Sequence, residues 1–158
     1  MRWSTRILGL AMLPGMVAGC VYYNGMYNAN RLAGSARKAE REGRTFDANN
    51  LWGQVATKAE SVVVRHPTSK YAEQANVLRG IALARMGQCE PALVPLSRAT
   101  LMPRSDLTEE AQLATGRCQL ALGNPGASQA AFGSLLESKN RDRRNEARFQ
   151  RAKALRQQ

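Results

Sequence analysis

One histidine and three aspartates are all that this chain of 158 residues offers to most hydrolytic chemistry. The histidine, His66, precedes Pro67 at the end of an apolar helical stripe, where the negative end of the helix dipole favours a cation. Of the aspartates, Asp47 and Asp106 suit helix N-caps, and Asp142 lies in a basic stretch. There is no glycine-rich phosphate loop, no nucleophile elbow and no carboxylate pair with an obvious partner. No catalytic residue is therefore assigned, and no enzyme is expected. Cysteine is also scarce. Cys20, Cys89 and Cys118, with the single histidine, lack the number and spacing of a zinc set, so neither a metal site nor a cofactor is expected. Three phenylalanines and six prolines argue against a large β-barrel. Acid is short as well, with 12 Asp and Glu against 23 Lys and Arg and a net charge of +11. That imbalance predicts attraction to anionic partners. Nucleic acid would come first for a cytoplasmic protein, but the N-terminus points to another compartment.

What is present begins with an address. Arg2 and Arg6 form a short basic region, followed by thirteen uncharged residues from Ile7 to Gly19. This run fits the roughly 7–15 apolar residues of a secretory signal and falls short of the roughly 18 needed to span a bilayer. It ends in Val17-Ala18-Gly19-Cys20, which resembles the bacterial lipobox. There, small residues lie extended in a protease cleft, and the cysteine thiol receives a diacylglycerol before cleavage. The resemblance implies a signal peptide over residues 1–19, lipidation of Cys20 and a tether over residues 20–28. In the proteobacterial sorting pattern an aspartate after the cysteine retains a lipoprotein in the inner membrane. Val21 stands there, which implies the periplasmic face of the outer membrane. Tyr22, Tyr23 and Tyr27 suit either the headgroup interface or packing on the first helix.

Beyond the tether the apolar residues follow helical periods between Gly and Pro punctuation, and no strand pattern emerges. Helices are predicted over 27–42, 47–65, 69–86, 90–101, 106–122, 126–137 and 141–156, an all-α domain occupying residues 29–158. Self-similarity organises them. Gly80 and Gly87 recur 36 residues later as Gly116 and Gly123, and the same offset takes Ala75 to Ala111, Ala92 to Ser128, Leu96 to Phe132 and Leu113 to Phe149. Within residues 73–103, Gly80, Leu83, Gly87, Ala92, Leu96, Ala99 and Pro103 fall on or beside the marked positions of the tetratricopeptide repeat, which this series resembles. A copy at 109–139 is weaker, and the spacing from Gly43 to Gly87 is 44 residues. The competing interpretation is an irregular helical bundle with chance glycine spacing. Together with the lipoprotein start, the chain looks most like the BamD-type outer-membrane assembly lipoproteins, although those contain more repeats.

That resemblance implies antiparallel helix pairs stacked as a short solenoid. The helix opening at Cys89 would then lie against the helix containing Cys118, which allows a disulfide in an oxidising compartment. Two small buried thiols are the alternative. At the C-terminus, Phe149, Ala152 and Leu155 form an apolar stripe expected to dock a capping helix. Its outer face would carry Arg141, Arg143, Arg144, Arg148, Arg151, Lys153 and Arg156, a solvated cap or a contact for an anionic partner. By resemblance the function would be a lipid-anchored scaffold that binds envelope proteins in a helical groove, in outer-membrane protein assembly or another envelope complex. A structural tether is the rival, with the basic helix holding peptidoglycan, lipopolysaccharide or exported polysaccharide. Neither reading involves nucleic acid.

Overall fold

The structure is a computed structural model that describes residues 25–157. The expected signal peptide over residues 1–19, the lipidation site Cys20 and the tether as far as residue 24 lie outside the described residues. Seven α-helices follow: α1 Tyr27–Arg41, α2 Thr45–Arg65, α3 Ala72–Arg85, α4 Cys89–Ser97, α5 Asp106–Ala121, α6 Pro125–Gly133 and α7 Arg141–Leu155. A short 3-10 turn, Arg98–Leu101, continues α4. Among the described residues there is no strand. Each helix packs on its chain neighbours, and α5 also packs on α3, an arrangement consistent with a helical solenoid.

One turn is used three times. Gly43, Gly87 and Gly123 have φ of 71°, 77° and 77°, a left-handed conformation that a Cβ would strain. In each, the glycine N–H donates to the carbonyl three residues back, at 3.0 Å to Glu40, 3.0 Å to Ala84 and 3.2 Å to Leu120. The next N–H reaches five residues back, from Arg44 to Ala39, Gln88 to Leu83 and Asn124 to Gln119, at 2.8–2.9 Å. This is the Schellman ending, which satisfies carbonyls that a helix terminus leaves open. The turns reverse the chain from α1 to α2, α3 to α4 and α5 to α6.

Counting from these glycines brings the three pairs into register. Seven residues before each lie Ala36, Gly80 and Gly116; nine residues after lie Trp52, Leu96 and Phe132, all buried. At Gly80 a Cβ would sit 2.8 Å from the Leu96 backbone nitrogen, and at Gly116 it would sit 2.5 Å from the Phe132 ring. Positions seven residues before and nine residues after a turn can meet only if the two helices run antiparallel. The eight extra residues between Gly43 and Gly87 lie in the long α2 and the turn after it, so they leave this register intact.

A second set of small residues joins one pair to the next. Ala75, Ala111 and Ala147 occupy equivalent positions 36 residues apart, as do Ala82, Cys118 and Ala154, and all are buried. Met26 is fully buried and Ala29 and Ala33 pack in the same cluster, so packing begins ahead of residue 29.

Several helix ends differ from expectation. Asp47 and Asp106 are not caps. Arg44 and Ser105 hold those positions, and Ser105 forms a capping box with Thr108. Asp47 instead pairs with Arg44 at 2.7 Å inside the first turn. Residues 69–71 belong to the turn after Pro67, where Ser69 N–H donates to the His66 carbonyl at 3.0 Å. Pro95 removes a donor inside α4, and the last turn tightens to 3-10 geometry. Past Gly133, α6 gives way to i→i+3 turns rather than reaching residue 137.

The close contacts make a test with an internal control. Gly80→Ala and Gly116→Ala are expected to destabilise by about 1–3 kcal/mol through overpacking. Gly34 lies in the interior of α1 with nothing within 4 Å of its Cβ position, so Gly34→Ala is expected to stabilise by about 0.5–1 kcal/mol. Urea midpoints of the three variants check both signs.

Candidate functional site

Cys89 and Cys118 meet where successive helix pairs join. Cys89 opens α4, and Cys118 lies on the face of α5 turned toward the preceding pair. Their Cα atoms are 4.9 Å apart and the sulfurs are bonded, closing a loop of 29 residues. The bridge ties the second helix of one pair to the first helix of the next.

A line of charge that no sequence pattern suggests runs along α1, α3 and α5. Arg37 makes a two-pronged contact with Glu110, its Nε and Nη2 donating at 3.0 and 2.7 Å. Arg85 lies between two carboxylates, donating to Glu40 at 3.1 Å and Glu110 at 3.3 Å. Glu40 also accepts the Trp52 indole N–H at 2.8 Å. Both guanidinium groups stack over the Trp52 ring, at 5.5 Å for Arg37 and 5.8 Å for Arg85. Arg37 and Glu110 are 73 residues apart in the chain, so nothing local announces their pairing. Beside this line a depression of about 400 Å³ is lined by Glu40, Thr45, Phe46, Asn49, Trp52 and Arg85. Phe46 is 78% exposed at its edge, an aromatic anchor with hydrogen-bonding groups around it.

The C-terminal helix docks by a different face from the one expected. Ala147 and Ala154 are its buried residues, whereas Phe149 is 66% exposed, Leu155 is 54% exposed and Ala152 is exposed. The reason is the register: Ala147 and Ala154 stand 36 residues after Ala111 and Cys118 and are buried as those are, at positions where small side chains allow close helix approach. The stripe of Phe149, Ala152 and Leu155 points away from the stack.

Its cations also divide. Arg143 has only 14% of its side chain exposed and donates to Glu109 at 2.7 Å and Asp106 at 3.0 Å. Arg144 donates to the Ser138 carbonyl. These two anchor α7 and are not free to meet a partner. Arg141, Arg148, Arg151, Lys153 and Arg156 are exposed, and among the described residues no carboxylate pairs with them.

Glu109 is the hub of that anchorage. Burial pushes its carboxyl up, but the Ser138 hydroxyl at 2.6 Å, Arg143 at 2.7 Å and Arg104 at 2.7 Å outweigh burial and hold it at about 2. Among the described residues, no group of three or more His, Cys, Asp or Glu is placed to hold a metal ion. No helix among them is long and apolar enough to cross a membrane.

Two outcomes follow from these contacts. Cys89→Ser with Cys118→Ser is expected to lower stability by about 3–4 kcal/mol through the lost loop closure. Non-reducing mass spectrometry of the native protein should find the two peptides linked, and free thiols would contradict this. The Glu109 carboxyl is depressed in the folded state, so its stabilisation is complete above about pH 4.5 and is lost as pH falls through about 2. Stability should fall across that acid window, and Glu109→Gln should flatten the fall. Identical profiles for the two proteins would contradict the assignment.

Comparison with protein-family profiles, with curated proteins and with solved structures found no match to this chain.

Proposed function

We propose that this protein is a lipid-anchored scaffold on the periplasmic face of the outer membrane, a tetratricopeptide-like array that binds other envelope proteins. The process would be outer-membrane protein assembly or another envelope complex. The observation that carries the reading is the helix pair built three times on one glycine turn, at Gly43, Gly87 and Gly123, with a close glycine contact repeated at Gly80 and Gly116. Stacks of this kind are quasi-one-dimensional and offer preformed surfaces for a helix or an extended peptide.

Three features support the rest. The lipobox-like Val17-Ala18-Gly19-Cys20 supports the anchor, and Val21 supports outer-membrane sorting. The Cys89–Cys118 bridge suits an oxidising compartment. The depression at Phe46 and Trp52 joins an exposed aromatic to polar groups already held in place, as protein-binding anchors commonly are.

The rival tether to peptidoglycan, lipopolysaccharide or exported polysaccharide draws on Arg141, Arg148, Arg151 and Lys153 of α7 and Arg156 just past it, which have no carboxylate partner among the described residues. It comes second because Phe149 and Leu155 stand exposed among those cations, an apolar strip that charge attraction to an anionic glycan does not require.

Cys20→Ser is expected to abolish acyl labelling and release the protein from the membrane fraction, and persistent labelling would remove the anchor from the account. With the anchor intact, mild crosslinking in whole cells should capture a discrete protein partner. Phe46→Ala should reduce that adduct several-fold without lowering thermal stability. Capture of glycan alone, dissolved by raised salt, would favour the tether.

A further inference from the structure

The outward face of α7 has an identity that its neighbours supply. In α3 and α5, the position seven residues before the turn is a glycine, and the second helix of the same pair lies directly over it. Leu96 covers Gly80, and Phe132 covers Gly116. The 36-residue register carries Gly116 to Ala152 and Leu113 to Phe149. Leu113 is buried in a cluster with Phe132 and Leu135. Phe149 and Ala152 are exposed, and among the described residues nothing covers them. Helix α7 thus stands as the first helix of a fourth pair, docked through Ala147 and Ala154 and open where a second helix would sit. A depression of about 490 Å³ lined by Phe149, Ala152, Lys153, Arg156 and Gln157 marks the place.

We propose that this open face is a seat for one amphipathic helix of an acidic partner protein, lying on α7 as α4 lies on α3 and α6 on α5. The shape follows from the two filled seats: a large apolar side chain of the incoming helix lies over Ala152 and packs against Phe149. The charge follows from the rim. By helical angle Arg148 and Arg151 lie on one side of the strip and Lys153 on the other, with Arg156 at its C-terminal end, all exposed and without a carboxylate partner among the described residues. Glutamates on the incoming helix would pair with them at the edge of an apolar contact, where water is partly excluded and such pairs fix register. A second copy of this chain is the poorer occupant, because it carries +11 and would bring its own cations to the same rim. This seat is separate from the depression at Phe46 and does not depend on the lipid anchor.

The test uses the full chain and a defined probe. A fluorescein-labelled, helix-stapled peptide copies residues 125–138, keeps the residues matching Ser128, Phe132 and Leu135, and carries glutamate at the exposed positions 126, 127, 130 and 134. A control peptide carries lysine at those four positions. Fluorescence anisotropy at low salt should show saturable binding of the acidic peptide and none of the control. Ala152→Trp fills the seat from an exposed position, so it should weaken binding at least tenfold while leaving the thermal unfolding curve unchanged. Arg148→Glu with Lys153→Glu should weaken it by a similar factor. Equal binding to the Ala152→Trp variant would mean charge attraction without a seat and would overturn the proposal, as would failure of the acidic peptide to bind. Sedimentation showing a dimer that Phe149→Ala dissolves would assign the face to a second copy. Displacement of the acidic peptide by vesicles of phosphatidylglycerol and phosphatidylethanolamine at equal accessible charge would assign it to lipid. Either result would overturn the proposal.

Discussion

The structure depends on how closely two helices can approach where one of them carries almost no side chain. At Gly80 and Gly116 the facing residue already occupies the space a Cβ would need, with Leu96 backbone at 2.8 Å and the Phe132 ring at 2.5 Å. That approach fixes the depth and rotation of each helix pair, and the Schellman turn seven residues later fixes its reversal. Once both are set, the remaining faces of the first helices are determined. One side presents Ala75, Ala111 and Ala147 to the preceding pair, again small residues that allow a tight fit. Dispersion attraction is small for any one pair of atoms, but close packing of this kind sums it over whole helix faces. The stack therefore needs few large side chains, which agrees with a core in which alanine recurs and, among the described residues, only Trp52 and Phe132 are fully buried aromatics.

Charge is used in two ways along this frame. Between pairs it is paired and half-buried: Arg37, Glu110, Arg85 and Glu40 form a continuous line over the Trp52 ring, and Glu109 receives Arg104 and Arg143. These groups bridge helices distant in sequence, so breaking one partner would leave another poorly solvated. On α7, Arg143 and Arg144 are held by the stack, whereas Arg141, Arg148, Arg151 and Lys153, with Arg156 just past its end, are exposed and have no carboxylate partner among the described residues. The excess of basic residues thus collects at one end of the stack, where it acts on whatever approaches rather than on the fold.

The helical class and the 36-residue register were legible from Gly80, Gly87, Gly116 and Gly123, because glycine at fixed spacing marks turns and close contacts that few other residues tolerate. The same register allowed a bridge between Cys89 and Cys118 but left two separate buried thiols open as the alternative. The docking face of α7 was not legible by apolar pattern, since Phe149 and Leu155 are the large residues and Ala147 and Ala154 the buried ones. In a stack held by close approach, small size marks the interface better than hydrophobicity does, and carrying Ala111 forward to Ala147 would have identified it. The first pair was also readable by counting from Gly43, which aligns Ala36 and Trp52 with Gly80 and Leu96. The ion-pair line was not readable at all, because its members come together only through the stacking of three helices.

The account turns on three filled helix pairs followed by a first helix whose second-helix seat is open. Solution NMR of the protein tests it directly, through contacts of the Phe132 and Phe149 rings. The account predicts strong nuclear Overhauser contacts from the Phe132 ring to Gly116, with a ring-current shift of the Gly116 protons. It predicts no long-range contacts from the Phe149 ring. Contacts from the Phe149 ring into the α5–α6 pair, or a Gly116 free of the Phe132 ring, would contradict it.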